Sequence, residues 1–284
     1  MPAHTTAPLP LLGLDFSCAP SARKPITVAR GTLQGSVLQL LSLDKLPTLT
    51  GFEALLLQPG PWLGAFDFPF GLPRAFVDSL QLGDTALAVA TELHRRCVNR
   101  MAFRALVDAW GNLRPAGQRL LHRRTDKAQP GVSSTSPLQT RYVPVGFMYF
   151  EGLRRLLQAD VTLPGLHPAG FHQADNRRVA LEGYPGLLAF ELIGKRSYKN
   201  SEAADRRQTR AAMLAALKAG HTRLGLALAT TSEQHQALLV DTSGDLIDAA
   251  LCLVQAAWAS QQPRHGLPAE VDPVEGWITS AGQV

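Results

Sequence analysis

Pro10 to Phe16 is a short apolar run closed by an acid, Asp15, and reads as a buried strand. Pro25–Arg30 and Ser36–Leu43 read as two further strands separated by Gly31–Gly35, so the opening of the chain predicts an antiparallel meander. Leu49–Gln58 has helical character and is stopped by Pro59-Gly60-Pro61. Trp62–Phe66 is again an apolar run of strand length with an acid, Asp67, at its end, and Pro69, Gly71 and Pro73 then force a turn. Ala86–Ala109 and Tyr142–Gln158 carry helical spacing, whereas Arg114–Pro137 is polar, basic and rich in Gly, Pro, Ser and Thr, which predicts a mobile loop. Residues 74–170 together read as a mostly helical insertion in a single domain spanning 1–284.

Strand character resumes at Arg177–Leu181, followed by Glu182, a Gly183-Tyr184-Pro185 turn and a short helix through Ile193. Asp205–Ala219 predicts a helix with Met213, Leu214 and Leu217 as its apolar stripe and Gly220 as its C-terminal cap. Gly244–Ser260 predicts another, with Ile247, Leu251, Val254 and Trp258 on one face. A meander followed by strands alternating with helices predicts an α/β fold: a mixed sheet with helices on its faces.

Apolar residues make up 45% of the chain and charged residues 18%, enough for a substantial core. No uninterrupted apolar stretch reaches spanning length, so no membrane partner is expected, and Met1–Pro10 lacks the pattern of a signal peptide and reads as a short tail. Cys18, Cys97 and Cys252 are odd in number, far apart and without metal-ligand spacing, which fits free thiols in a cytoplasmic setting. The net charge of +5 permits nucleic-acid binding, and its distribution sharpens the point. Between His94 and Lys127 nine basic residues (Arg95, Arg96, Arg100, Arg104, Arg114, Arg119, Arg123, Arg124 and Lys127) face only Asp108 and Asp126, a segment able to track a phosphate backbone. Lys195, Lys199 and Arg210 could contact phosphate or balance acids; Ser133–Ser136 reads as a polar loop, and His122, His167, His172 and His221 have no partner at fixed spacing.

Asp15 and Asp67 both stand at strand C-terminal ends, where ligands of open α/β sheets bind, and Glu182 repeats the pattern. Asp245 and Asp248 are three apart and share a helix face. At about 4 Å two unit charges repel by roughly 4 kcal/mol at an effective dielectric of 20, so clustered carboxylates hold protons or bind cations. Oxygen donors without a His/Cys cluster point to Mg²⁺ or Mn²⁺, and such ions serve phosphodiester cleavage. Asp15, Asp67, Glu182 and Asp248 are the candidate catalytic residues; Asp15, Asp67, Asp248 and Asp245 are the candidate metal ligands.

Gly13-Leu14-Asp15-Phe16-Ser17, Asp67–Pro73, Glu182-Gly183-Tyr184-Pro185, the basic helix around Arg206, Arg207 and Arg210, Asp245–Trp258 and Glu275–Ile278 together resemble a family of predicted nucleases catalogued as domain of unknown function 429, in the ribonuclease H-like superfamily. The resemblance runs over residues 11–278. It implies three antiparallel strands, then parallel ones, with helices on both faces. It also implies acids at the end of the first strand, at the fourth strand and on the last helix, matched by Asp15, Asp67 and Asp248, with Glu182 matching an acid after the fifth strand. Gly186 and Cys18 depart from the family pattern, the first where a second acid is usual and the second where a small residue is.

A metal-dependent nuclease is the leading expectation, with Arg95, Arg96, Arg100, Arg104, Arg123, Arg124, Lys127, Lys199 and Arg210 as its nucleic-acid contacts. Two alternatives stay open: a nucleotide-binding phosphotransferase or ATPase of the actin/sugar-kinase type, which needs glycine-rich phosphate loops, and a nucleic-acid-binding protein without catalysis. The nature of the nucleic acid and the oligomeric state are not fixed by the sequence.

Overall fold

A computed structural model describes residues 8–129, 134–168 and 177–282. Six strands form one sheet in the order β5-β4-β1-β2-β3-β6. β1 (Leu11–Asp15), β2 (Ile26–Gln34) and β3 (Val37–Leu46) make the antiparallel meander, and β4 (Trp62–Asp67) and β5 (Arg178–Glu182) extend it in parallel beyond β1. β6 (Ala227–Ala229) pairs in parallel with β3 at the other edge. Three antiparallel strands followed by parallel ones, with helices on both faces, is the mixed α/β arrangement that the sequence predicts and is consistent with a ribonuclease H-like fold.

The strand alternation sorts side chains to two cores. Leu12 and Leu14 of β1 and Phe66 of β4 face one core, which they share with α1 (Leu49–Leu56), α2 (Arg74–Ser79), α3 (Ala86–Arg96), α4 (Arg100–Asn112) and α5 (Val145–Gln158). Leu11 and Leu63 face the other, built with α6 (Pro185–Ile193), α7 (Ala204–Lys218), α8 (Ser232–Val240) and α9 (Asp245–Ser260). Sixteen residues long, α9 crosses β1, β2 and β4 and is buried almost all round, including Asp248 and Gln255. Its predicted single apolar stripe is therefore too narrow a description, and Trp258 is only partly buried.

Gly13 explains how α9 comes so close. A Cβ there would lie 2.1 Å from the Ala249 carbonyl oxygen and 2.1 Å from the Leu253 amide nitrogen. Only a residue without a side chain lets helix backbone rest directly on strand backbone. Gly31, expected in the turn between strands, instead sits inside β2 at a register shift, where a Cβ would lie 2.6 Å from the Gln39 carbonyl oxygen. The actual turn is confined to Gly35, at φ +59°, and Ser36, so β2 and β3 are both longer than their sequence pattern suggests.

Two further differences have local causes. The helical spacing of 86–109 is divided between α3 and α4 because Asn99 accepts hydrogen bonds from the amides of Met101 and Ala102 and starts a new helix. The segment 114–137, expected to be mobile, contains a short 3-10 turn at Thr125–Lys127 and buries Arg123, Thr125, Asp126, Ser134 and Ser136. Among the described residues no helix is long and apolar enough to cross a membrane.

Gly13→Ala is expected to lower stability by about 3 kcal/mol or more, since the clash is with backbone that cannot rotate away. Gly51→Ala in α1, where a Cβ would meet nothing closer than 3.4 Å, is expected to be neutral or to stabilise by up to about 1 kcal/mol. Urea unfolding of the two variants beside the parent checks the contrast.

Candidate metal centre

Asp15 and Asp67 are register partners on the adjacent parallel strands β1 and β4. Two residues beyond Gly13, and therefore on the same face of β1, Asp15 turns toward α9; Asp67 stands likewise two residues beyond Ala65, which packs on Cys252 and Ala256 of that helix. Asp248, in the first turn of α9, meets them. Asp15, Asp67 and Asp248 each bring one carboxylate oxygen to within 4.8 Å of the other two. Asp15 and Asp67 are half-buried, and Asp248 is fully buried.

Asp248 is held from two sides: the Tyr198 hydroxyl donates to Oδ1 and the Lys199 ammonium contacts Oδ2. Asp245 flanks the group, its own backbone carbonyl accepting a 2.8 Å hydrogen bond from the Thr27 hydroxyl. Thr27 is in turn the register partner of Asp15 on β2. Three strands and one helix therefore fix the acids.

The electrostatics follow from burial and crowding. Burial, then the charges of Asp67 and Asp245, push the Asp15 carboxyl well above the usual carboxylate range against the pull of Lys199 and Lys24. Burial is also the largest cause for Asp67, which is pushed up to about 6 although Lys199 and a hydrogen bond to Asp15 oppose it. The same negative field, added to burial, raises the Cys252 thiol and the Tyr198 hydroxyl. Within ion-pair distance Lys199 is the one cation on the cluster among the described residues. The donor set is three carboxylates with a deficit of positive charge, which fits a hard divalent cation such as Mg²⁺ or Mn²⁺.

Glu182 lines the same cleft as Asp15 and Asp67 but stands outside the three-acid cluster. It ends β5 opposite Phe66, so it points to the face of the sheet away from Asp15 and Asp67. It is buried there in a two-pronged contact with Arg123 (2.6 and 2.8 Å). Arg123 also binds Asp126 at 2.8 Å and the Glu275 carbonyl oxygen at 3.0 Å, and Ser134 donates to Asp126. The second Glu182 oxygen accepts from the Phe70 amide at 2.9 Å. Burial pushes Glu182 up and Arg123 pulls it down, while the two acids raise Arg123 and keep it cationic. Glu182 thus borders the cleft, adds its charge to the causes that raise Asp67, and anchors the turn that follows it.

That turn is clamped by the end of the chain. A Cβ on Gly71 would lie 2.2 Å from the Val274 carbonyl oxygen, the Leu72 amide bonds that oxygen, and Glu275 accepts from the amides of Arg74 and Arg124. Asp272 takes both prongs of Arg74 at 2.6 Å. The Glu275–Ile278 motif is accordingly a strut for the Asp67–Pro73 loop.

Several arginines expected on nucleic acid have structural partners. Arg123 is buried as described. Arg210 is 1% exposed and donates to the carbonyl oxygens of Leu239, Tyr198 and Ser201, so both guanidiniums are engaged inside the protein. Arg95 and Arg96 both pair with Glu92, an acid just outside the window in which the positive excess is greatest. Arg100 reaches the Cys18 carbonyl oxygen and Glu151, and Arg104 donates to the Thr140 carbonyl oxygen above the Phe147 ring. Arg124 and Lys127 keep exposed side chains. Lys199 belongs to the acid cluster. Ser133 and His172 lie outside the described residues, while Ser134 is the buried partner of Asp126. Tyr198, Thr27 and Asp126 carried no sequence signal, because each acts on a residue distant in the chain.

The sequence pattern of the family described as protein of unknown function (DUF429) matches residues 13–272. No curated protein and no solved structure matches the chain.

Two outcomes test the electrostatics. Arg123→Met would leave Glu182 and Asp126 buried without their cation and is expected to cost about 3–5 kcal/mol in urea unfolding. Asp67 has its folded-state value raised, from 3.8 to about 6. Without metal the folded state therefore keeps a proton between about pH 4 and 6 that the unfolded chain has released. The stabilisation is fully present below about pH 4 and is lost as pH rises through 6, up to about 3 kcal/mol. Unfolding in EDTA at pH 5 and 7.5 should show a steeper loss for the parent than for Asp67→Asn.

Proposed function

The chain belongs to the DUF429 family, and on that footing we propose that it is a divalent-metal-dependent nuclease that hydrolyses phosphodiester bonds. The convergence of Asp15, Asp67 and Asp248 within 4.8 Å of one another carries this reading. In it these three carboxylates hold Mg²⁺ or Mn²⁺, and Asp245 stands beside them as a further acceptor. The ion, when bound, would lower the pKa of a bound water and neutralise charge on the phosphate.

The protein's own residues set up that chemistry. Asp15 and Asp67 supply acceptors from rigid strands, so that little reorganisation is needed. Tyr198 and Lys199 orient Asp248, and the ammonium of Lys199 stays at the cleft to face an anionic substrate. Glu182 is a positioning residue, acting through Arg123 and the Phe70 amide on the loop that bears Asp67.

The sugar-kinase-type alternative is less well supported. Its phosphate sites rest on backbone amides exposed by glycine-rich loops, and Gly183 is the one glycine lining the cleft among the described residues. A DNA or RNA panel incubated with Mg²⁺ or Mn²⁺ tests the proposal. Cleavage should require the metal, and Asp15→Asn and Asp67→Asn should each reduce it roughly 100-fold or more while remaining folded. Unchanged cleavage in both variants, or tight ATP binding without cleavage of any nucleic acid, overturns it.

A further inference from the structure

Asp15, Asp67 and Asp245 line a cleft of about 690 Å³. That volume is in the range of pockets that enclose a small ligand or a few groups of a larger one. The loop between β1 and β2 lines it with Arg23 and Lys24, and the segment leading into α5 lines it with Tyr142 and Val143. Arg23 and Lys24 are exposed, and neither has an ion-pair partner among the described residues, in contrast to the paired arginines of α3 and α4. Tyr142 is 98% exposed and Val143 58%, both beside the mouth of the cleft. Tyr142 also holds φ +59°, a conformation uncommon for a residue with a side chain. A 98% exposed aromatic ring, lining the same acidic pocket as two cations that have no ion-pair partner among the described residues, has the parts of a single-strand site: a stacking platform and phosphate contacts.

We propose that the cleft takes single-stranded or frayed nucleic acid rather than intact duplex, with a base stacked on Tyr142 and the adjoining phosphates on Arg23 and Lys24. This rests on the nuclease reading for its substrate class and adds where the strand enters. A space of this size admits one strand or a terminal nucleotide, whereas a base in a duplex already has both faces stacked and is unavailable to a tyrosine ring. The entry surface is then the β1–β2 loop and the Tyr142 segment. The arginine-rich helices α3 and α4 are not part of it.

The test measures binding apart from cleavage. Full-length Asp15→Asn protein in EDTA is titrated into fluorescently labelled single-stranded and blunt duplex oligonucleotides of equal length, as DNA and as RNA, with anisotropy as the readout. The single strand should bind more tightly. Tyr142→Ala should weaken it roughly 5- to 150-fold, the range that loss of one stacked base gives, and Tyr142→Trp should restore it. Arg23→Ala and Lys24→Ala should each flatten the log–log salt dependence by about 0.7. Equal or tighter binding of the duplex overturns the inference, as does unchanged single-strand affinity in Tyr142→Ala. If wild-type protein cuts duplex in an Asp15-dependent way and Tyr142→Ala cuts equally well, the entry site is wrong and the nuclease reading stands. Tyr142-dependent single-strand binding with no cleavage under either metal leaves the entry site intact and removes the nuclease reading.

Discussion

Helix α9 lies directly on β1 at Gly13, backbone against backbone, and the placement of the acids depends on that contact. Strand geometry puts residues 13 and 15 on the same face. With the helix pressed onto the first, its opening turn is delivered to the second. β4 repeats the arrangement through Ala65 and Asp67. A side chain at residue 13 would lift the helix and separate Asp248 from the two strand acids. The glycine before Leu14-Asp15 is therefore as much a part of the centre as the carboxylates are.

The strand and helix types, the mixed sheet and the convergence of Asp15, Asp67 and Asp248 were legible because buried strands ending in acids are unusual and the acids recur at matching ends. The role of Glu182 was not legible in the same way. β5 is buried on both faces, so its sequence has no alternation to show which way residue 182 points, and only its register with Phe66 reveals that it faces away. The partners of the basic segment were hidden for a different reason. A charge tally over consecutive residues ignores partners one helical turn outside the window or far away in sequence, and Glu92, Glu151 and Glu182 were such partners. The polar composition of 114–137 suggested mobility, yet its Arg123, Asp126 and Ser134 are polar because they satisfy one another inside the protein.

That interior network is costly to desolvate, and charges so placed are retained where they fix one arrangement among several. Here Arg123 ties β5 and the chain near Glu275 to a single guanidinium, and the Glu182 carboxylate carries the link on to the turn after β4. An apolar side chain could fill the space, but it could not specify which backbone amides and carbonyls meet there. The network holds the Asp67 loop from one side of the sheet while α9 sets the acids from the other.

The strut formed by Asp272 and Glu275 also has a temporal meaning. During synthesis β1 and β4 emerge early and can pair while the ribosome is still translating the helices that follow. Asp248 is made after both strands, and the residues that brace the Asp67 loop later still. A nascent chain thus carries two of its three acids side by side, but the cluster and the brace behind it are not finished until residue 275 has been made.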